Sequence, residues 1–163
     1  MLRRYSIAMA KNNVIRFLEN RQVPHQVFTY SPDLHSAEEG AAALGIPLHL
    51  MYKTLVVMRE QGRPLLAIVP GDRELDLKRL AKAIGEKKLR MATQREAEKL
   101  TGLQVGGISA LAVLHKGFEV YIDRSALALE YVHVSAGQRG LNVRLRPADL
   151  VAITGARAVE ATE

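Results

Sequence analysis

Met51-Tyr52-Lys53-Thr54-Leu55-Val56-Val57-Met58 is followed, across Gln61-Gly62-Arg63-Pro64, by Leu65-Leu66-Ala67-Ile68-Val69-Pro70. Both runs are apolar and rich in branched side chains, and glycine and proline stand between them, so the pair reads as a β-hairpin with a loose turn. Downstream, Asp76 can cap a helix that puts Leu77, Leu80, Ala81 and Ile84 on one face and Lys78, Arg79 and Lys82 on the other. Thr93-Gln94-Arg95-Glu96 is a capping box for another short helix, which Gly102 closes. Three strand-like runs follow, at 117–123, 131–135 and 141–145, and Pro147-Ala148-Asp149-Leu150 opens a last helix with proline in its first turn. Upstream, the spacing around Val14, Ile15 and Leu18 predicts a helix ending before Val23-Pro24. His25–Tyr30 then alternates like a strand, and Ser36 with Glu39 caps a helix over 36–44 that stops at Gly45. Helices and strands interleave without a regular βαβ rhythm. The expectation is an α+β fold on an antiparallel or mixed sheet, with residues 1–163 as a single domain.

Composition narrows the partners. The 163 residues carry 23 Lys plus Arg against 17 Asp plus Glu, a net charge of +6, which favours a polyanion while leaving an ordinary basic surface open. Cysteine is absent, so disulfides, cysteinyl zinc sites and a thiol nucleophile of the protein's own are excluded. No apolar run reaches the roughly 18 residues of a membrane-spanning helix. The opening Met1–Ala10 stretch is too short and broken for a secretory signal, so a cytoplasmic protein with no membrane partner is expected. A phosphate-binding loop, a dinucleotide fingerprint, a zinc-protease helix and a nucleophile elbow are all missing. His25, His35, His49, His115 and His133 show no metal-ligand spacing, and they read as surface or packing residues. No metal and no cofactor is expected.

Three segments carry possible chemistry. Lys53 interrupts an apolar strand; it either points to solvent or reaches a pocket where its ammonium holds a phosphate or carbonyl oxygen. Gly106-Gly107-Ile108-Ser109 is either a turn or a backbone able to aim N–H groups at an oxyanion. Ser135-Ala136-Gly137-Gln138-Arg139-Gly140 is by default a hairpin turn that carries an arginine.

Read in order, these segments resemble the YbaK-type aminoacyl-tRNA deacylases, which are related to the editing domain inserted in many bacterial prolyl-tRNA synthetases. The resemblance rests on Tyr52-Lys53-Thr54-Leu55-Val56, Leu75-Asp76-Leu77-Lys78, Ala81-Lys82-Ala83-Ile84-Gly85, and Lys87-Lys88 before Met91-Ala92. It continues through Thr101-Gly102, Gly106-Gly107-Ile108-Ser109, Val134 to Leu141, and Pro147-Ala148-Asp149-Leu150, nearly the whole chain. It implies a curved, barrel-like mixed sheet flanked by helices, and hydrolysis of an amino acid wrongly attached to tRNA. Members closest in wording act on cysteine attached to proline tRNA, and a prolyl-tRNA synthetase is a candidate partner. The resemblance puts Lys53, Gly106 and Gly107 at the reaction centre. Tyr30, Thr54, Ile108, Ser109, Ser135, Gly137, Arg139 and Asn142 fall to substrate binding.

Two positions depart from the pattern. The glycine loop reads Ser109-Ala110-Leu111-Ala112 where the family continues Ser-Pro, which implies a less rigid loop. Asn142 stands where cysteine-selective relatives often carry aspartate; it keeps a carbonyl acceptor without the charge. An aminoacyl ester is already activated, so a pocket that orients it and stabilises its oxyanion does much of the work. For a cysteinyl substrate the resemblance implies that the substrate's own thiol attacks the ester. Lys78, Arg79, Lys82, Lys87 and Lys88 are expected either to receive the acceptor stem or to be a solvated helix face. Two alternatives stand beside this reading: a deacylase for alanine or another small residue on the same tRNA, and a non-catalytic tRNA-binding module.

Overall fold

The computed structural model describes residues 12–163, and the opening Met1–Ala10 stretch lies outside the described residues. The hairpin forms as expected. β2 (Tyr52–Arg59) and β3 (Leu65–Pro70) run antiparallel, from Tyr52 opposite Pro70 to Val57 opposite Leu65. All of β3 is buried because the strand is central and covered on both faces. Leu66 and Ile68 point into one apolar cluster, and Leu65, Ala67 and Val69 into a second. β4 (Leu89–Met91) pairs antiparallel with the far half of β2. β5 (Glu119–Asp123) and β8 (Arg157–Val159) extend the sheet in parallel beyond β3, which gives the order β4-β2-β3-β5-β8.

A second sheet is antiparallel, with β1 (His25–Thr29) and β6 (Val132–Ser135) on either side of β7 (Leu141–Leu145). The mixed α+β architecture is therefore present, but it consists of two sheets joined by the isolated bridge Met51–His133, and neither closes into a barrel. The reason lies in β2. β3 occupies one of its edges from Tyr52 to Val57, and the ladder extends to Met51, whose carbonyl accepts from Gly71 N–H. On the other edge β6 arrives only at Met51, and β4 is paired only from Val57 onward, with Ala92 N–H closing on Val56 O. Between them Lys53, Thr54 and Leu55 have no strand neighbour on that edge among the described residues. That gap splits the sheet.

Five α-helices of eight residues each are present among the described residues. α1 (Asn13–Asn20) starts at Asn12, whose side chain accepts from Ile15 N–H and donates to Ala136 O, tying the helix to the turn after β6. α2 (Ala37–Leu44) and α4 (Gln94–Thr101) open with the capping boxes read from Ser36/Glu39 and Thr93/Glu96. α3 (Leu77–Ile84) is capped by Asp76, and α5 (Pro147–Thr154) has proline in its first turn. None of these helices is long and apolar enough to cross a membrane.

Behind the hairpin, buried Asp123 ties down the chain beyond β8. Its Oδ1 accepts from Ala161 N–H at 2.9 Å, Thr162 N–H at 3.1 Å and the Thr162 hydroxyl at 3.2 Å. Its Oδ2 accepts from the Ser125 hydroxyl, which in turn accepts from the Tyr52 hydroxyl at 2.9 Å. One buried carboxylate thus fixes both the end of the sheet and the start of β2.

Candidate active site

The gap in the sheet opens into a cavity of about 420 Å³. Its floor is the uncovered stretch of β2, and its walls come from the first turn of α2, the end of β4 with the start of α4, the glycine loop, and the facing ends of β6 and β7. Because Val56 O faces β4 and backbone groups alternate along a strand, the N–H and C=O of Thr54 face the same edge, into the gap.

Seven of the eleven positions assigned to catalysis or substrate binding line this cavity: Tyr30, Lys53, Thr54, Gly106, Ile108, Ser135 and Asn142. Tyr52 and Val56 pack in one apolar cluster and Leu55 and Val57 in the other, so Lys53 and Thr54 leave opposite faces of β2. Both still reach the cavity, because the strand's edge there is bare. Lys53 is half-buried, and its ammonium has no hydrogen-bond or ion-pair partner among the described residues. It is a cation left free to meet a ligand. Burial pushes the Tyr30 phenol up from its ordinary value, so it stays a neutral donor.

The other four positions do not line the cavity; they hold its glycine wall in place. Gly107 N–H donates to Gln104 O at 2.8 Å, so it is committed to the turn and not free for an oxyanion. A Cβ at Gly107 would lie 2.8 Å from Arg139 N and 2.8 Å from Gln138 C, so glycine there lets the loop press against the turn after β6. Arg139 Nε locks the same contact by donating to Val105 O at 2.8 Å. Gly137 passes close to Ala112 with φ +100°, where a Cβ would approach to 2.8 Å. Ser109 is buried, and its Oγ accepts from Leu111 N–H to cap the 3₁₀ turn Ala110–Ala112. That cap fixes the chain's direction where the family's proline is missing. Gly106, at φ +96°, instead faces the cavity and packs on His35; its N–H and that of Ile108 have no partner among the described residues. Gly106 and Ile108 are therefore the cavity-lining residues of the glycine loop whose N–H groups are unengaged among the described residues.

Asn142 sits 2% exposed beneath the cavity. Its Oδ1 accepts from His133 Nδ1–H at 3.0 Å, and its Nδ2 points at Met51 Sδ, 3.9 Å away. Burial holds the His133 pKa below its ordinary value, so the pair is neutral. His133 is thus a packing residue, as read from sequence. Its hydrogen bond occupies one of the two acceptor sites of the Asn142 carbonyl.

The basic residues divide. Lys78, Arg79 and Lys82 lie exposed on α3, which contributes nothing to the cavity. Arg79 is already engaged by Thr162 O and Asp76. Lys87 and Lys88 precede β4, and Lys88 lines a shallow cleft of about 310 Å³ with Met58, Arg59, Glu60, Leu89 and Arg90. β4 connects this cleft to the cavity, because Met91 and Ala92 line the latter. Arg90 and Glu96 clamp β4 to α4 through contacts of 2.8 and 2.9 Å, and the guanidinium holds the Glu96 carboxyl down at about 2.

Sequence reasoning missed the α2 wall, His35 to Glu38, and the rim made by Met91, Ala92 and Gln94. The Ser36 capping box marked where α2 begins; nothing in the sequence marked what its first turn would face. No group of three or more metal-ligating side chains occurs among the described residues.

The aminoacyl-tRNA editing domain model matches residues 31–153, which include every described lining residue of the cavity except Tyr30. The chain belongs to the aminoacyl-tRNA editing domain family. Membership makes it an aminoacyl-tRNA deacylase, a hydrolase whose macromolecular partner is tRNA. A protein of Enterococcus faecalis named "Putative Cys-tRNA(Pro)/Cys-tRNA(Cys) deacylase EbsC" is 38% identical over 154 residues, 93% of each chain. A proline–tRNA ligase of Nitratidesulfovibrio vulgaris is 40% identical over 93 residues, which are 57% of this chain and 16% of the ligase. A solved structure described as "a putative trans-editing enzyme for prolyl tRNA synthetase" superposes with TM-score 0.79 and 28% identity, covering 94% of this editing domain and 99% of that chain. A hypothetical protein, APE2540, superposes with TM-score 0.85 and 26% identity over 93% of this chain and all of that one.

Proposed function

We propose that the chain acts in trans, as a single cytoplasmic editing domain, to remove cysteine from mischarged proline tRNA. The carrying observation is the split in the sheet: around one cavity stand the Lys53 ammonium and the Gly106 and Ile108 N–H groups, none with a partner among the described residues. The Enterococcus relative supports the choice of substrate.

In this reading Lys53 holds the terminal nucleotide or the ester, and the glycine loop polarises the carbonyl. The cysteine thiol attacks its own ester carbonyl: the S–C bond forms as the C–O bond to ribose breaks, and the thiol proton passes to the ribose oxygen. The cyclic thioester then opens in water. The protein supplies position and an oxyanion site, which fits a wall that offers hydroxyls from Ser36, Thr54 and Ser135 but no thiol. Lys87 and Lys88, next to β4, are the basic residues best placed for the acceptor strand. A prolyl-tRNA synthetase, which would otherwise release the mischarged tRNA, is the natural partner.

The test is a deacylation panel on proline tRNA charged with cysteine, alanine or serine. Preference for cysteine supports the reading. Preference for alanine moves the chain to a small-residue deacylase, and tRNA binding without ester cleavage above background removes the enzymatic role of this cavity.

A further inference from the structure

Among the described residues lining the cavity, Glu38 is the sole carboxylate and Lys53 the sole lysine or arginine. The two acidic residues in the first turn of α2 have separate tasks. Glu39 completes the capping box, accepting from His35 N–H and Ser36 N–H at 3.2 Å each and from the Ser36 hydroxyl at 3.1 Å. These bonds hold its carboxyl below the usual range. Glu38 is exposed and has no partner among the described residues. The helix is therefore fully capped without it, and its charge faces the cavity unmatched.

Its position suits one group. The α2 wall abuts the glycine loop, since a Cβ on Gly106 would lie 3.0 Å from His35 O. If the ester carbonyl rests on Gly106 and Ile108, the ammonium on the adjacent α-carbon lies in the cavity that Glu38 also lines. Asn142, the other candidate, offers no charge, and His133 already donates to its carbonyl.

We infer that Glu38 binds the α-ammonium of the aminoacyl group and so selects an amino acid ester over an uncharged acyl ester. This rests on the deacylase reading above. A charge-assisted hydrogen bond in a partly solvated site corresponds to a preference of about tenfold.

The experiment compares tRNA carrying cysteine with tRNA carrying its 2-hydroxy counterpart, in which a neutral hydroxyl replaces the ammonium at nearly the same size. Wild type, Glu38→Gln and Glu38→Asp are assayed for kcat and KM, with thermal melts confirming the fold. The expected result is a preference of about tenfold for the amino ester in wild type, carried mainly by KM, partly kept in Glu38→Asp and lost in Glu38→Gln. If wild type hydrolyses both esters equally, or Glu38→Gln keeps the full preference, the role of Glu38 is overturned while the deacylase reading stands. If wild type hydrolyses neither, the deacylase reading itself fails.

Discussion

Replacing Gly107 with alanine tests how the wall of the site is held. The new Cβ would lie 2.8 Å from Arg139 N and Gln138 C and 2.9 Å from Gln138 Cα, all backbone atoms that cannot swing aside. The loop must retreat from the turn by several tenths of an ångström, which strains the bond from Arg139 Nε to Val105 O. Overpacking of this kind costs about 1–3 kcal/mol, and for a chain of this size each kcal/mol lowers Tm by roughly 2–4 °C. Gly106 moves with the loop, so the donors for the carbonyl are misplaced, and a shift near 1 Å can lower turnover about a hundredfold. The control is Gly85→Ala at the end of α3, at φ +78° with nothing within 4 Å of a new Cβ. It should lower Tm by a few degrees at most, about 1 kcal/mol of left-handed strain, and leave kcat intact. Differential scanning fluorimetry and single-turnover deacylation on both variants decide the matter. If Gly107→Ala matches Gly85→Ala in both readouts, the packing argument is refuted.

Three further outcomes follow from the same geometry. His133, buried beside Arg144 on the ladder, has its pKa lowered in the folded state, so below the ordinary imidazole value the unfolded chain binds a proton that the folded one does not. Stability is full above about pH 6.5 and falls as pH drops below it, by at most about 1.4 kcal/mol per pH unit for one proton; a pH series of melts should show this slope, and His133→Gln should flatten it. Asp123→Ala leaves the Ala161 and Thr162 N–H groups without their buried acceptor and should cost about 2–4 kcal/mol, read from urea unfolding, with β8 exchanging first in amide hydrogen exchange. Lys87→Ala with Lys88→Ala should reduce the salt slope of tRNA binding by about two, whereas Lys78→Ala with Lys82→Ala should leave it unchanged; equal effects from both pairs would mean that β4 does not guide the acceptor strand.

The hairpin of β2 and β3 was readable because its residues are apolar on faces that are both covered, and the helices were readable from their caps. β4 and β8 were not. Each has three residues, β4 buries only Leu89, and both form because a neighbouring strand offers a free edge. Their omission hid the gap that makes the cavity. The resemblance put Gly106 and Gly107 together at the reaction centre, yet close packing against Gln138 and Arg139 is what the second glycine serves. Ser109 and Arg139 share wording with the pocket residues because they brace it from behind. The α2 wall was invisible for a plainer reason: Glu38 and Glu39 look equivalent in a helix's first turn until the capping bonds show which one is occupied.

In the proposed mechanism the ammonium of Lys53, in the gap of the sheet, positions a mischarged aminoacyl-tRNA for hydrolysis. Single-turnover deacylation of cysteinyl proline tRNA by wild type and Lys53→Ala, with melting curves on both, tests it directly. Because Lys53 has no partner among the described residues, the variant should melt within about 2 °C of wild type, under 1 kcal/mol, while its rate falls to background. A variant that folds and cleaves the ester at the wild-type rate would contradict the account.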